Sequence, residues 1–87
     1  MSELTGSFTI NTAGTRNVTI RKPGNYLLDI NPASGTVTVS QRGRNFPSFS
    51  GISARAAKVV ALSRSELRID TSGGSVNVDV HIDFVDS

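Results

Sequence analysis

Three titratable side chains alternate near the end of the chain: Asp79, His81 and Asp83. On a β-strand, residues two apart point to the same side, so these form one carboxylate–imidazole–carboxylate row. Such a row could ligate a metal or tune the histidine. Its members sit about 6.5–7 Å apart, too far for compact coordination unless a neighbouring strand adds ligands. The row therefore reads first as a solvated face, paired across strands with Arg16, Arg21 or Arg68. His81 as a pH-sensitive subunit contact comes second. No metal and no other cofactor is expected.

A second constellation is Gln41-Arg42-Gly43-Arg44-Asn45-Phe46-Pro47-Ser48-Phe49, with Arg55 and Lys58 beyond it. Basic residues alternate with two phenylalanines, and no acid intervenes. Phosphate contacts with base stacking would suit nucleic acid. Arginine and aromatic residues also anchor protein partners. The rings could instead fold back onto the edge of the domain. A net charge of only +2 argues against a strong phosphate binder. Arg42, Arg44, Phe46, Phe49 and Arg55 are accordingly read as a partner-binding set, with nucleic acid set aside. No serine sits in a Gly-x-Ser-x-Gly elbow. Gly43 and Gly51 are not followed by the Gly-Lys-Ser of a phosphate loop. A single histidine without a nucleophile at useful spacing makes an enzyme unexpected.

The elements that must position these groups are strands. Five apolar residues alternate through Val76, Val78, Val80, Ile82 and Phe84, a sustained period of two. Earlier strands are expected at 7–11, 16–21, 26–30 and 36–41. They place Phe8, Ile10, Val18, Ile20, Tyr26, Leu28, Ile30, Val37 and Val39 inward. Turns are expected at 12–14, at Lys22-Pro23-Gly24-Asn25, at 31–35 and at 72–75. Residues 42–53 form the longest loop. Two readings fit 54–68: a hairpin with a turn at 63–65, or a short helix near 54–64 favoured by its alanines. The fold expected is all-β: a small antiparallel two-sheet sandwich of seven or eight strands, jelly-roll-like, in one domain over 1–87.

A chain of 87 residues buries only about 60–65% of its unfolded surface. It has no cysteine for disulfides, so oligomerisation is the remaining common support. Leu27, Ile52 and Val85 are candidate oligomer contacts. All nine basic residues lie between Arg16 and Arg68, and seven are arginine, a type favoured at interfaces. No segment is apolar enough for a membrane-spanning helix, and the first six residues lack signal-peptide character. A protein made in a cytoplasm, or packed there into a particle, is expected.

From Lys22 onward the order of motifs resembles a known family. Pro23-Gly24-Asn25-Tyr26-Leu27-Leu28-Asp29-Ile30 is followed by Ser34-Gly35-Thr36-Val37-Thr38-Val39-Ser40-Gln41. Val59-Val60-Ala61-Leu62 comes next, then Leu67-Arg68-Ile69-Asp70-Thr71-Ser72-Gly73-Gly74 and an alternating strand. The order is similar to that in small β-sandwich virion proteins of tailed bacteriophages, of the head decoration (cement) or fibre-base type. The likeness covers about two-thirds of the chain and departs at the Arg-rich loop and at 54–58. It implies a non-enzymatic virion protein, made in the host cytoplasm. It would commonly be a trimer that binds the major capsid protein or another virion protein and stabilises the capsid. The alternative is a carbohydrate-binding or fibre module of a head or tail appendage.

Overall fold

The computed structural model describes residues 5–86. Its strands are β1 (Thr5–Ile10), β2 (Gly14–Thr19), β3 (Gly24–Gln41), β4 (Arg44–Asn45), β5 (Ala56–Leu62) and β6 (Glu66–Asp86). A 3₁₀ turn at Pro47–Phe49 lies between β4 and β5. All six strands join one antiparallel sheet. No α-helix occurs among the described residues, so none is long and apolar enough to cross a membrane.

Two long strands carry the sheet. β3 and β6 lie side by side from Asn25↔Asp86 to Gln41↔Leu67. Shorter strands flank them in series. β1 pairs with the later half of β6, and β2 with its earlier half. On the other flank β5 pairs with the first half of β3, and β4 with its last two residues.

The turns expected at 31–35 and 72–75 are bends inside β3 and β6, which is why six strands replace the expected seven or eight. The pairing of β3 with β6 slips between Pro32 and Ser34 and again between Ser34 and Thr36. Across that level the buried set of β3 changes from Tyr26, Leu28 and Ile30 to Val37 and Val39, from even to odd. In β6 it changes in the matching place, from Leu67, Ile69 and Thr71 to Val76, Val78, Val80 and Ile82. Each strand absorbs an odd residue at the same level, so one apolar face continues through the bend. Pro32 sits at this irregularity, just past the last β5 pair, where a missing N–H is tolerated.

Glycine makes the bend sterically feasible. Gly35 has φ +85° and Gly73 φ +142°, both in the region side chains avoid. The two also touch: a Cβ on Gly73 would lie 3.1 Å from the Gly35 Cα. Side-chain hydroxyls fasten the same level, Thr36 Oγ1 to Ser72 Oγ at 2.9 Å and Ser34 Oγ to Ser75 Oγ at 3.3 Å.

The alternative between hairpin and helix at 54–68 is decided for the hairpin, β5 into β6. β-branched Val59 and Val60 and a full ladder along β3 outweigh the helix preference of the alanines. The expected inward residues are buried or packed on the core, and Leu62 and Phe49 join them. Each fully buried aliphatic side chain contributes about 1.5–3 kcal/mol. Tyr26, 0% exposed, donates its hydroxyl to the Lys22 carbonyl at 2.6 Å and meets the Phe84 ring edge-on at 5.2 Å. Its polar tip is therefore satisfied inside the core.

Candidate partner-docking surface

The Arg-rich loop begins as a tight hairpin. Gln41 pairs with Arg44, leaving Arg42 and Gly43 as the two turn residues. Both have positive φ, +54° and +79°. A two-residue hairpin of this kind prefers Asn-Gly, because positive φ strains a side-chain-bearing residue. Arginine in the first position is a local expense of the kind that collects at functional sites.

Tertiary hydrogen bonds decide what surrounds this hairpin. The buried Gln41 side chain donates Nε2–H to the Ser63 carbonyl, and its Oε1 accepts from the Ser63 N–H, each at 2.8 Å. The Ile20 N–H donates to the Ser65 carbonyl at 3.0 Å. These bonds bring the 42–44 hairpin, the 63–65 turn and the start of the 20–23 connection to one end of the molecule. A groove of about 630 Å³ opens there, bounded by Arg42, Arg44, Phe46, Pro47, Ala61 and Ser63. Arg42 and Arg44 are exposed, and Phe46 is half-buried against the core.

The remaining members of the expected set lie elsewhere. Phe49 is 0% exposed and belongs to the core, so its ring offers no contact surface. The 3₁₀ turn directs it inward, held by the Phe49 N–H donating to the Phe46 carbonyl at 2.9 Å. Arg55 lies on the outer face of the first half of β3. There it grips Asp29 with two parallel bonds of 3.0 and 2.8 Å. Arg55 holds the Asp29 carboxyl below the usual carboxylate range, and His81 assists by charge. Two further exposed arginines lie at the hairpin end: Arg21, expected from sequence beside the Asp79–His81–Asp83 row, and Arg64, which no sequence signal marks. Only the Gln41–Ser63 and Ile20–Ser65 bonds reveal their position.

The Asp79–His81–Asp83 row does share one outer face. Asp79 accepts a bond from Thr9 Oγ1 at 2.9 Å, and His81 stands opposite Asp29 and Ser7. Asp29, Asn31, Arg55, Asp79 and His81 line an open cleft of about 400 Å³. Among the described residues no group of three His, Asp or Glu side chains is placed to hold a metal ion. None of the three arginines expected beside the row is shown bonded to it: Arg21 follows Ile20 to the hairpin end, and the other two have other partners. Arg16 lies over the Phe8 ring at 4.2 Å, and Arg68 bonds Asp70 at 3.1 Å. Asp70 also accepts from Thr15 Oγ1 at 2.5 Å, and these bonds lower its pKa, the Thr15 bond most.

Of the expected oligomer contacts, Val85 is 49% exposed. Leu27 is half-buried and stands opposite Val59, which is 50% exposed on β5, a strand that among the described residues pairs only with β3. Ile52 is drawn inward by reciprocal backbone bonds with Val37 at 3.0 and 2.9 Å and packs on the core. The exposure of Val59 is not readable from sequence, because an alternating strand and an amphipathic helix differ little over seven residues. Compared with known proteins, the chain matches no family model, no curated protein and no solved structure.

Proposed function

We propose that this chain is a non-enzymatic structural protein of a tailed-phage virion, a capsid decoration protein that docks through its Arg42–Arg44 end and stabilises the shell. The observation that carries the docking reading is the hairpin itself. A strained arginine and a second exposed one line one groove with a half-buried phenylalanine, and neither guanidinium has an ion pair or hydrogen bond among the described residues. The virion setting rests on the order of motifs from Pro23 to Gly74. For the architecture we infer two packed layers, jelly-roll-like, made by the sheet folding over itself at the Gly35–Gly73 bend. Among the described residues no α-helix covers residues such as Leu28 and Val39, each 0% exposed. A smallest dimension of 19 Å accommodates two layers about 10 Å apart. Val59, Leu27 and Val85 would supply the contact of a homotrimer.

The test is co-sedimentation with tailed-phage capsids stripped of decoration protein. Saturable binding, weakened at least tenfold (about 1.4 kcal/mol) by Arg42→Ala with Arg44→Ala, is the expected result. Absence of binding overturns the reading.

A second reading is favoured by one feature. Two carboxylates, Asp29 and Asp79, and the Asn31 amide converge on the 400 Å³ cleft beside Phe8. Carboxylates and amides of this kind hold sugar hydroxyls. Glycan binding abolished by Asp79→Ala, with no capsid binding, would replace decoration with a carbohydrate-binding or fibre module.

A further inference from the structure

We infer that Arg21, Arg42, Arg44 and Arg64 form one docking surface, and that its partner is a carboxylate-rich segment of another protein. This rests on the docking reading above and deepens it, adding two arginines and the chemistry of the partner.

The chain has seven arginines, and they divide cleanly. Arg16 covers Phe8, Arg55 grips Asp29 and Arg68 bonds Asp70. The other four are exposed, and among the described residues none of their side chains has an ion pair or hydrogen bond. Those four come from three separate segments. The double Gln41–Ser63 bond and the Ile20–Ser65 bond gather them at one end. The acids nearest that end are engaged already: Glu66 accepts from Thr19 at 2.6 Å and Asp86 from Asn25 at 2.6 Å. An end that gathers four forked cations and leaves them unneutralised is set up to receive anions from outside.

The anion is carboxylate rather than phosphate. Single-stranded nucleic acid needs exposed rings for base stacking. Here Tyr26 and Phe49 are 0% exposed, Arg16 lies over Phe8 and Lys22 over Phe84, which leaves the half-buried Phe46 as the one ring in the groove, too few for successive bases to stack. A duplex would need more charge than a net +2 supplies. The groove floor mixes Phe46, Pro47 and Ala61 with its arginines, which suits acidic residues interspersed with apolar ones. Arg55 on Asp29 shows the two-bond geometry each guanidinium could offer.

The test measures binding of fluorescent poly-L-glutamate, with duplex DNA as competitor, at physiological salt. Poly-L-glutamate should bind better than DNA. Arg21→Gln with Arg64→Gln should weaken it about three- to twentyfold, and Arg42→Gln with Arg44→Gln similarly. Arg55→Gln with Arg68→Gln should leave it within about twofold, because those guanidiniums are already engaged. No binding of poly-L-glutamate, or stronger binding of DNA, overturns the carboxylate assignment. If only the Arg42/Arg44 pair matters, the surface ends at the hairpin and the four-arginine inference fails while docking stands. If that pair also leaves capsid co-sedimentation unchanged, the docking reading fails as well.

Discussion

Gly35→Ala tests the bend that the whole sheet depends on. Gly35 has φ +85°, and an added Cβ would lie 3.0 Å from the Ser72 carbonyl oxygen, 3.1 Å from that of Ser75 and 3.1 Å from Val76 Cγ2. Alanine at positive φ costs about 1–2 kcal/mol. The two oxygens belong to β6 backbone and cannot retreat without opening the β3–β6 pairing. Crowding of that kind adds about 1–2 kcal/mol. The sum, about 2–4 kcal/mol, is a large share of the roughly 4–13 kcal/mol that stabilises a domain of this length. At about 5 °C per kcal/mol, Tm should fall by about 10–20 °C in a circular-dichroism melt. Gly74→Ala is the matched control, since its added Cβ meets nothing within 4 Å. If the Gly35→Ala protein melts within about 3 °C of the control, the close-packed bend is not what holds β3 and β6 in one sheet.

Phe49→Ala should destabilise by about 3–5 kcal/mol in urea unfolding, and Phe46→Ala by clearly less, because only the first empties a fully buried site. Arg42→Asn should raise stability by about 0.5–1 kcal/mol by relieving the strained turn position, yet weaken capsid co-sedimentation. Asp29 and Asp70 both have lowered pKa values, the first through Arg55 and the second chiefly through Thr15. Their contribution is therefore complete above the unfolded value of 3.8 and is lost as pH falls through the folded values. Both pairs are largely solvated, so the effect is modest. Urea midpoints measured below about pH 4 should decline less steeply for Asp29→Asn with Asp70→Asn than for the unmodified protein; equal slopes would contradict these assignments.

The inward-facing residues were legible because burial imposes a period of two that any local window can read. Tyr26, Leu28 and Ile30 and the run from Val76 to Ile82 announce themselves in this way. The two bends were not legible. Asn31-Pro32-Ala33-Ser34-Gly35 and Ser72-Gly73-Gly74-Ser75 have the composition of turns. Whether such a segment reverses the chain or merely kinks it depends on a partner strand kinking at the same level. The place of Phe49 is hidden for a similar reason: in the same loop as two arginines it looks like a contact residue, and only the 3₁₀ turn aims it inward.

The hydrophobic alternation along the chain determined by itself that this protein is built of antiparallel strands and which side chains they bury. It also determined that Arg42, Arg44 and Phe46 stay close together, since they share one short loop. The tertiary structure alone decided that Arg21 and Arg64 join them while Arg55 leaves to bind Asp29. Spacing along the chain says nothing about which ends of which strands meet. That is set by the register of β3 on β6 and by the buried Gln41 side chain, whose amide finds both its partners on Ser63.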